Sequence, residues 1–505
     1  MPIGRILIDT NVLIPLEDAT EVPETHAALL RTLAEQGITV FVHRASYDDI
    51  SRDKNIARRK QSISKLAKYP VFEKVIVSEE TLSKEFGQIS NKNDLCDCYI
   101  LKTISDDLCD FLISEDNGLH KRAAAVGLGQ RVLRVREALD LIKGVYVDAE
   151  ISLHRVEDVF CYQLDKNDPI FFSLRDDYDE FDDWFEKCCK LNRKAWIVRD
   201  GNGICGLVIV KDETNETDIP RFQESRLLKV CTFKIADTYR GGRLGEHLLR
   251  KILWYAFESK YQVVYLTAFE KQYHLRELLA YFGFKELGQN ARGEIITYKE
   301  WPANIEDAED DYDFHRLAYP ERRIGTSSAY IIPIWPVYHQ RLFPEGTKKT
   351  SSQLELFSEN DADPRTPPSN SIRKVYLCSS PTKKIKRGSF VYFYMTQDDA
   401  FSASQRITCV GVVDSFREIS CISELIAATA KRSVYSIAEQ EVLLRKGPVK
   451  VLDFIMLGYC QPALNLERLL ELNILRAHPQ SIVKITERQH SVLQSVVNIS
   501  LRPES

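Results

Sequence analysis

Acidic side chains recur in the first third of this sequence where a parallel sheet would gather its ligands. Asp9 directly follows the apolar run Ile6-Leu7-Ile8, and Asp116 stands in Ser114-Glu115-Asp116, directly after Phe111-Leu112-Ile113. The carboxyl ends of parallel strands face the ligand crevice, so both acids fall at one edge. Asp94 and Asp97, three residues apart at the start of a helical run, project to roughly one side, and Asp49 opens a long basic stretch. Carboxylates crowded at one edge repel one another unless a divalent cation compensates them, and an oxygen-rich donor set suits Mg2+ or Mn2+. Such an ion generates hydroxide and stabilises in-line displacement at a phosphodiester. Taken singly, Asp9 or Asp116 reads equally well as the cap of a turn.

A second chemistry is written in Arg240-Gly241-Gly242-Arg243-Leu244-Gly245, which follows a strand-like run, Arg226–Ile235, and opens an amphipathic helix over Gly245–Ser259. Free amides and the helix dipole make such a turn a pyrophosphate site. Arg240 and Arg243 add positive charge, and the glycines let the backbone come close to a ligand. The plain alternative is an ordinary helix-start turn.

The elements that must hold these groups follow from periodicity. Over residues 1–145, strand-like runs at Arg5–Ile8, Thr39–Val42, Val71–Val77, Phe111–Ile113 and Arg131–Val135 alternate with helical patterns. The helical patterns cover Glu24–Glu35, Ala45–Ala67, Asn93–Ser105 and Gly118–Val126. This alternation implies right-handed crossovers and a parallel sheet covered by helices. Over 146–302 the pattern mixes a helix at Phe181–Cys189 with strands at Lys194–Val198, Gly206–Val210, Arg226–Ile235 and Val263–Ala268. A helix at His274–Phe282 and a last strand, Glu294–Lys299, complete it. Residues 303–328 read as an acidic linker. Residues 329–505 carry β-branched runs at Ala329–Ile334, Lys374–Cys378, Ser389–Tyr394 and Thr408–Asp414, which suggest a small barrel with helical insertions. A polar, proline-bearing stretch near 347–371 reads as a mobile insertion.

At 505 residues the chain is too long for one hydrophobic core. A net charge of −5 argues against a general polyanion binder. The basic stretches Arg52–Lys68 and Arg373–Arg387 either meet phosphates or form solvated helix faces. No apolar run approaches the roughly 20 residues that span a bilayer, and the N-terminus passes directly into a strand. The 12 cysteines include no Cys-x-x-Cys pair and no zinc-finger spacing. These features lead us to expect a reduced, cytoplasmic protein without membrane contact or structural zinc.

Taken in order, Asp9-Thr10-Asn11 after the first strand, Asp97 opening Cys98-Tyr99-Ile100-Leu101, and Ser114-x-Asp116 followed by Leu119 and Gly127 resemble the pattern of PIN-domain nucleases. The match covers most of residues 1–140. It implies Asp9, Asp97 and Asp116 as metal ligands, with Asn11 and Ser114 as supporting groups. Asp49 takes the slot where that family usually has glutamate, with Asp48 as its alternative, and Asp94 is the alternative to Asp97.

The turn Arg240–Gly245 resembles the acyl-CoA loop of GNAT acetyltransferases, usually Gln/Arg-x-x-Gly-x-Gly/Ala; Arg243 stands where the family has its middle glycine. Tyr281-Phe282-Gly283-Phe284 and Gly293–Lys299 are similar to the family's terminal Gly-Phe and closing strand, so the likeness spans roughly 146–300. It implies acetyl-CoA as cofactor, its pantetheine arm entering between Arg226–Ile235 and Val263–Ala268. Main-chain groups at Phe233 and Ile235 would hold the thioester, and Arg240, Gly241, Gly242, Arg243, Leu244 and Gly245 the pyrophosphate. An amine would then attack directly. The family's usual asparagine is not evident near His274, which leaves the general acid open between Tyr273, Tyr281 and groups not identified. The acidic run Asp176–Glu186 reads first as a solvated face beside Phe181, Trp184 and Phe185, and second as a receiver for a cationic acceptor such as lysine.

Ile331–His339, Arg373–Cys378, Lys386–Tyr394 and Ile407–Val413 resemble PUA-like domains of the ASCH or EVE kind, which bind RNA or a modified base. Trp335 and Tyr338 are candidate stacking residues, while Tyr392 and Tyr394 read as core. The fold class expected is multidomain α/β and α+β: a PIN-like α/β/α parallel sheet, a GNAT mixed sheet and a C-terminal PUA-like β-barrel. The function expected is a metal-dependent endoribonuclease joined to an N-acetyltransferase and directed to RNA, such as tRNA. By analogy with toxin-like and defence proteins, an antitoxin-like partner belongs to that picture. Two alternatives stand beside it: an acetyltransferase with an idle first module serving as RNA-binding scaffold, and a regulatory acetyl-CoA sensor.

Overall fold

The computed structural model describes residues 3–17, 24–52, 59, 63, 66, 68–146, 156–200, 203–213, 219–236, 244–270, 272–303, 305, 308–323, 327–343, 372–397, 404–429 and 434–501. The expected insertion near 347–371 and most of the basic stretch after Arg52 lie outside these residues. The chain forms two compact units; among the described residues, the first takes those up to 146 together with 419–448, and the second takes the remainder.

In the first unit, β1 (Arg5–Ile8), β2 (Thr39–His43), β3 (Val71–Phe72), β4 (Phe111–Ile113) and β5 (Val132–Leu133) form a parallel sheet in the order β3-β2-β1-β4-β5. Alternation along β1 sends Ile6 and Ile8 into one core with Val42, Phe111 and Ile113, and Leu7 into a second with Leu101, Leu112 and Leu119. A sheet with an apolar cluster on each face is covered by helices on both sides. Strand β3 is shorter than expected because Glu73 and Lys74 leave the sheet for Arg44 and Asp48, and Ile76 beyond them is fully exposed. The first core is completed by Ile426, from the helix Ile422–Thr429, far along the sequence.

In the second unit, β6 (Glu157–Phe160), β7 (Lys194–Asp200), β8 (Gly203–Asp212), β9 (Leu227–Ile235), β10 (Val263–Ala268), β11 (Lys285–Gln289) and β12 (Ile295–Glu300) lie in the order β11-β12-β10-β9-β8-β7-β6. All neighbours are antiparallel except β9 and β10. The helix Phe181–Lys190 buries Phe181, Phe185 and Cys188 against Ala195, Ile197, Leu207 and Ile209. On the other face the helix Leu244–Glu258 comes so close that a Cβ on Gly206 would stand 3.0 Å from Leu248 and 3.1 Å from Leu244.

The same unit holds a second mixed sheet of β13 (Ala329–Ile334), β14 (Arg373–Cys378), β15 (Phe390–Met395), β16 (Arg406–Ile419), β17 (Val449–Asn465), β18 (Val483–Ile485) and β19 (Asn498–Ser500). Its order is β14-β17-β16-β15-β13-β18, with β19 on β17. The acidic stretch expected to be a linker contains a docked helix, Asp311–Ala318, with Tyr312, Ala318 and the following Tyr319 buried. Gly283 makes this possible: at φ +81, a Cβ there would sit 2.0 Å from the Leu317 carbonyl. Lys299, buried, donates to that carbonyl and, at 2.6 Å, to Phe282 O, and burial pushes its ammonium down to about 7.

Candidate functional site

The order of the first sheet reverses at β1, so the ends of β1 and β4 form the crevice where doubly wound folds bind ligands. Asp9 follows β1 there. Its Oδ2 accepts from Ser114 Oγ at 2.8 Å and Asn11 Nδ2 at 3.0 Å, and its Oδ1 from the Thr10 amide at 2.7 Å. Asn11 also donates to Ser114 Oγ at 3.1 Å and accepts from the Glu115 amide at 3.2 Å, tying the two strand ends together. Asp116 caps the helix Asn117–Ala125 through the Leu119 amide at 2.9 Å. Thus the capping role and the site position coincide in one residue.

Asp97 enters from the helix Lys92–Ser105. Burial first, then the charges of Asp9 and Asp116, push its carboxyl up to about 8. Burial, relieved in part by Ser114 and Thr10, likewise raises Asp9. Asp49 borders the group: its charge, with those of Asp9 and Asp97, adds to the burial that raises the Cys96 thiol, while its carboxylate is held by Arg52 at 2.5 Å. Asp48 pairs instead with Lys74. Asp94 is turned elsewhere: it accepts from the Ser90 amide at 2.8 Å and meets Arg122 at 3.4 Å, so the alternative to Asp97 is a loop tie. Asp9, Asp97 and Asp116 therefore sense one another's charge. No three His, Cys, Asp or Glu among the described residues stand at ion-holding spacing. The all-oxygen donor set of Asp9, Asp97 and Asp116 suits a hard divalent ion. Beside the acids lies a pocket of about 400 Å³ whose lining includes Arg52, Lys74, Asn91, Lys92, Cys96 and Tyr99.

In the second unit, β9 and β10 pair in parallel from Leu227↔Val263 to Val230↔Leu266. Beyond that point β9 runs on to Ile235 and β10 to Ala268. The cause is local: β8 pairs Val210 with Val230 but Ile209 with Thr232, leaving Cys231 as an extra residue. A bulge of this kind bends its strand and turns β9 away from β10. Phe233 and Ile235, the expected thioester-holding positions, lie on this diverging stretch and pair with Val208 and Gly206 on the far side. Leu244 and Gly245 open the helix facing the gap; Leu244 is buried over Gly206. Arg240, Gly241, Gly242 and Arg243 lie outside the described residues, as do the side chains of Tyr273 and His274. Tyr281 is committed elsewhere: its hydroxyl bonds Tyr312 at 2.7 Å and Arg373 lies 4.5 Å over its ring.

The mixed sheet thus holds one parallel pair that parts at a bulge and is followed by a helix. Residues 159–284 match the model of the Acetyltransferase (GNAT) family, and this part of the chain is a GNAT acetyltransferase domain. None of the curated proteins matches the chain. Among solved structures, the chain is similar to an N-acetyltransferase from Staphylococcus aureus Mu50, at 14% identity over 30% of this chain and 99% of that one, TM-score 0.25. It is similar also to a GNAT family acetyltransferase from Elizabethkingia anophelis with acetyl-CoA bound, at 13% identity over 29% and 97%, TM-score 0.21. A third likeness is to an ASCH protein from Zymomonas mobilis, at 11% identity over 34% and 97%, TM-score 0.24.

In the second sheet of this unit, Trp335 is 71% exposed at the start of the helix Pro336–Leu342, and Tyr338 is half-buried under Arg341. Tyr392 and Tyr394 are buried core residues. Sequence reading missed Glu294, a buried carboxylate beside the end of β10, and Glu246, buried in the first turn of the helix Leu244–Glu258. The signal available for the second was an acid in a turn that should favour phosphate. No helix among the described residues is long and apolar enough to cross a membrane.

Proposed function

We propose that this chain is a two-headed enzyme: an acetyl-CoA-dependent N-acetyltransferase joined to a metal-dependent endoribonuclease, with a PUA-like barrel directing both to RNA such as tRNA. The acetyltransferase half rests on the parting of β9 and β10 at the Cys231 bulge within the GNAT-matching domain. The nuclease half rests on the mutual charge of Asp9, Asp97 and Asp116 at the sheet's switch point. Asp9, Asp97 and Asp116 would hold Mg2+ or Mn2+, with Ser114 and Asn11 orienting Asp9; the ion supplies an activated water and a Lewis acid. Arg52 and Lys92 would meet phosphate and Tyr99 a base in the adjoining pocket.

Labelled RNA incubated with the full chain and Mn2+ tests the nuclease. Cleavage abolished by chelation, by Asp9→Asn and by Asp116→Asn supports it; intact RNA throughout leaves the first module as a scaffold. Titration with acetyl-CoA, followed by turnover on RNA and protein acceptors, tests the second head. Tight binding without turnover points to a sensor. A toxin-like role would bring with it an antitoxin-like protein partner.

A further inference from the structure

We infer that Glu294 is the specificity-determining residue of the acetyltransferase site, anchoring the ammonium group of a flexible, multiply charged primary amine. The inference rests on the acetyltransferase reading above. In that reading the acceptor nitrogen must reach an acyl group lodged between β9 and β10. Thr267 is the first β10 residue beyond the last β9 pair, and its Oγ1 donates to Glu294 Oε2 at 3.2 Å. The carboxylate therefore stands one hydroxyl away from the apex of the opening.

Its other partners are also neutral. Asn290 Nδ2 donates to Oε2 at 2.7 Å, and the Tyr178 hydroxyl to Oε1 at 2.7 Å. Glu294 is 5% exposed, and no lysine or arginine among the described residues stands within ion-pair distance of it. A buried carboxylate served only by neutral donors lacks a counter-ion, an arrangement that an incoming cation completes. Tyr178 packs against Phe269, the residue directly after β10, with ring centroids 5.8 Å apart, giving the ammonium an aromatic wall. Burial and the neighbouring Glu294 hold the Tyr178 phenol above its ordinary range, so it stays a neutral donor.

The rim sets the class of amine. Asp176, Asp177, Asp179 and Glu180 flank Tyr178 and are exposed, with Arg292 meeting Glu180 at 3.4 Å. A single ammonium satisfies Glu294, and further positive charges on the same flexible molecule meet the rim. Polyamines and lysine-rich peptide segments share that chemistry.

The test uses the full chain with acetyl-CoA and measures CoA release with spermidine, a blocked trilysine peptide and propylamine. At least one of the two multiply charged amines is acetylated with a KM about tenfold or more below that of propylamine. Glu294→Gln raises that KM about tenfold or more, in line with loss of a charge-assisted hydrogen bond, with kcat within about threefold and acetyl-CoA affinity by calorimetry unchanged. Glu294→Asp recovers part of the loss, and Tyr178→Phe, which keeps the ring, raises KM less. An unchanged KM in Glu294→Gln overturns the assignment, as does acetyl-CoA binding without acetylation of either multiply charged amine. Failure of the unmodified chain to bind acetyl-CoA overturns the acetyltransferase reading and this assignment with it.

Discussion

Arg373 closes on Glu246 with three hydrogen bonds: its amide at 2.8 Å, Nε at 3.0 Å and Nη2 at 2.6 Å. Glu246 lies in the first turn of the helix Leu244–Glu258, where an unpaired carboxylate would oppose a bound pyrophosphate. Arg373 draws that charge to itself and stacks on Tyr281. Because Glu246 is 6% exposed, removing the guanidinium takes two charge-assisted hydrogen bonds from a buried carboxylate. Arg373→Ala should lower stability by about 3–5 kcal/mol, read by urea unfolding, and should weaken acetyl-CoA binding. The pair Arg373→Met with Glu246→Leu should regain most of the stability. A loss below about 1 kcal/mol in the single variant would show that the pair is dispensable.

Asp97 makes a pH-dependent prediction. Its folded value of about 8 lies above the ordinary 3.8, so between those limits the folded chain holds a proton that the unfolded chain has released. The stability it contributes is present below about 3.8 and is lost as pH rises through about 8. Asp97→Asn should therefore stabilise the metal-free chain by about 1–2 kcal/mol at pH 8 and by less at pH 5. Binding of Mn2+ at pH 7 should release close to one proton per chain, about what a carboxylic acid gives up on becoming a ligand. Calorimetry in buffers of differing ionisation enthalpy reads this directly, and no release would remove Asp97 from the ligand set.

Gly206 carries the approach of the helix Leu244–Glu258 to the sheet. With Leu248 and Leu244 at 3.0 and 3.1 Å from a would-be Cβ, Gly206→Val should cost about 1–3 kcal/mol by overpacking. Gly206→Ala meets only movable leucine ends and should cost less. Thermal unfolding of both variants gives the comparison, and equal stability would mean that the helix is not seated there.

Gly245 offers the complementary test, because a Cβ there meets only Leu278 at an ordinary 3.6 Å. Gly245→Asp should leave the melting temperature near that of the parent. It should also weaken acetyl-CoA at least about tenfold, through a negative charge at the helix end. Undiminished affinity would place the pyrophosphate elsewhere.

How much of this was legible in the sequence depended on how each group is positioned. Strands β1, β4 and β13 were readable to the residue because β1 and β4 end abruptly at Asp9 and Ser114 and β13 stops before Trp335-Pro336. Strand β17, Val449–Asn465, was missed although it is the longest, since residues of both parities are buried along most of it and no alternation betrays it. The places of Asp9 and Asp116 directly beyond β1 and β4 were readable because strand ends are local features. The roles of Asp94 and Glu246 were not, because each depends on a partner distant in sequence: Arg122 for one, Arg373 for the other. The linker expectation failed for a related reason. Acidic residues in Asp310–Asp313 look solvated in isolation, yet they receive Arg316, Arg323 and Arg387.

Ile426 completes the core of a unit whose other members nearly all precede residue 143. During synthesis that core stays unfinished until residue 426 has left the ribosome. A truncated product ending after the acetyltransferase domain would carry a first unit with a hole in its packing. Any attempt to express the first 149 residues alone would inherit the same defect, and a version with the 419–448 segment grafted on is the piece that should fold.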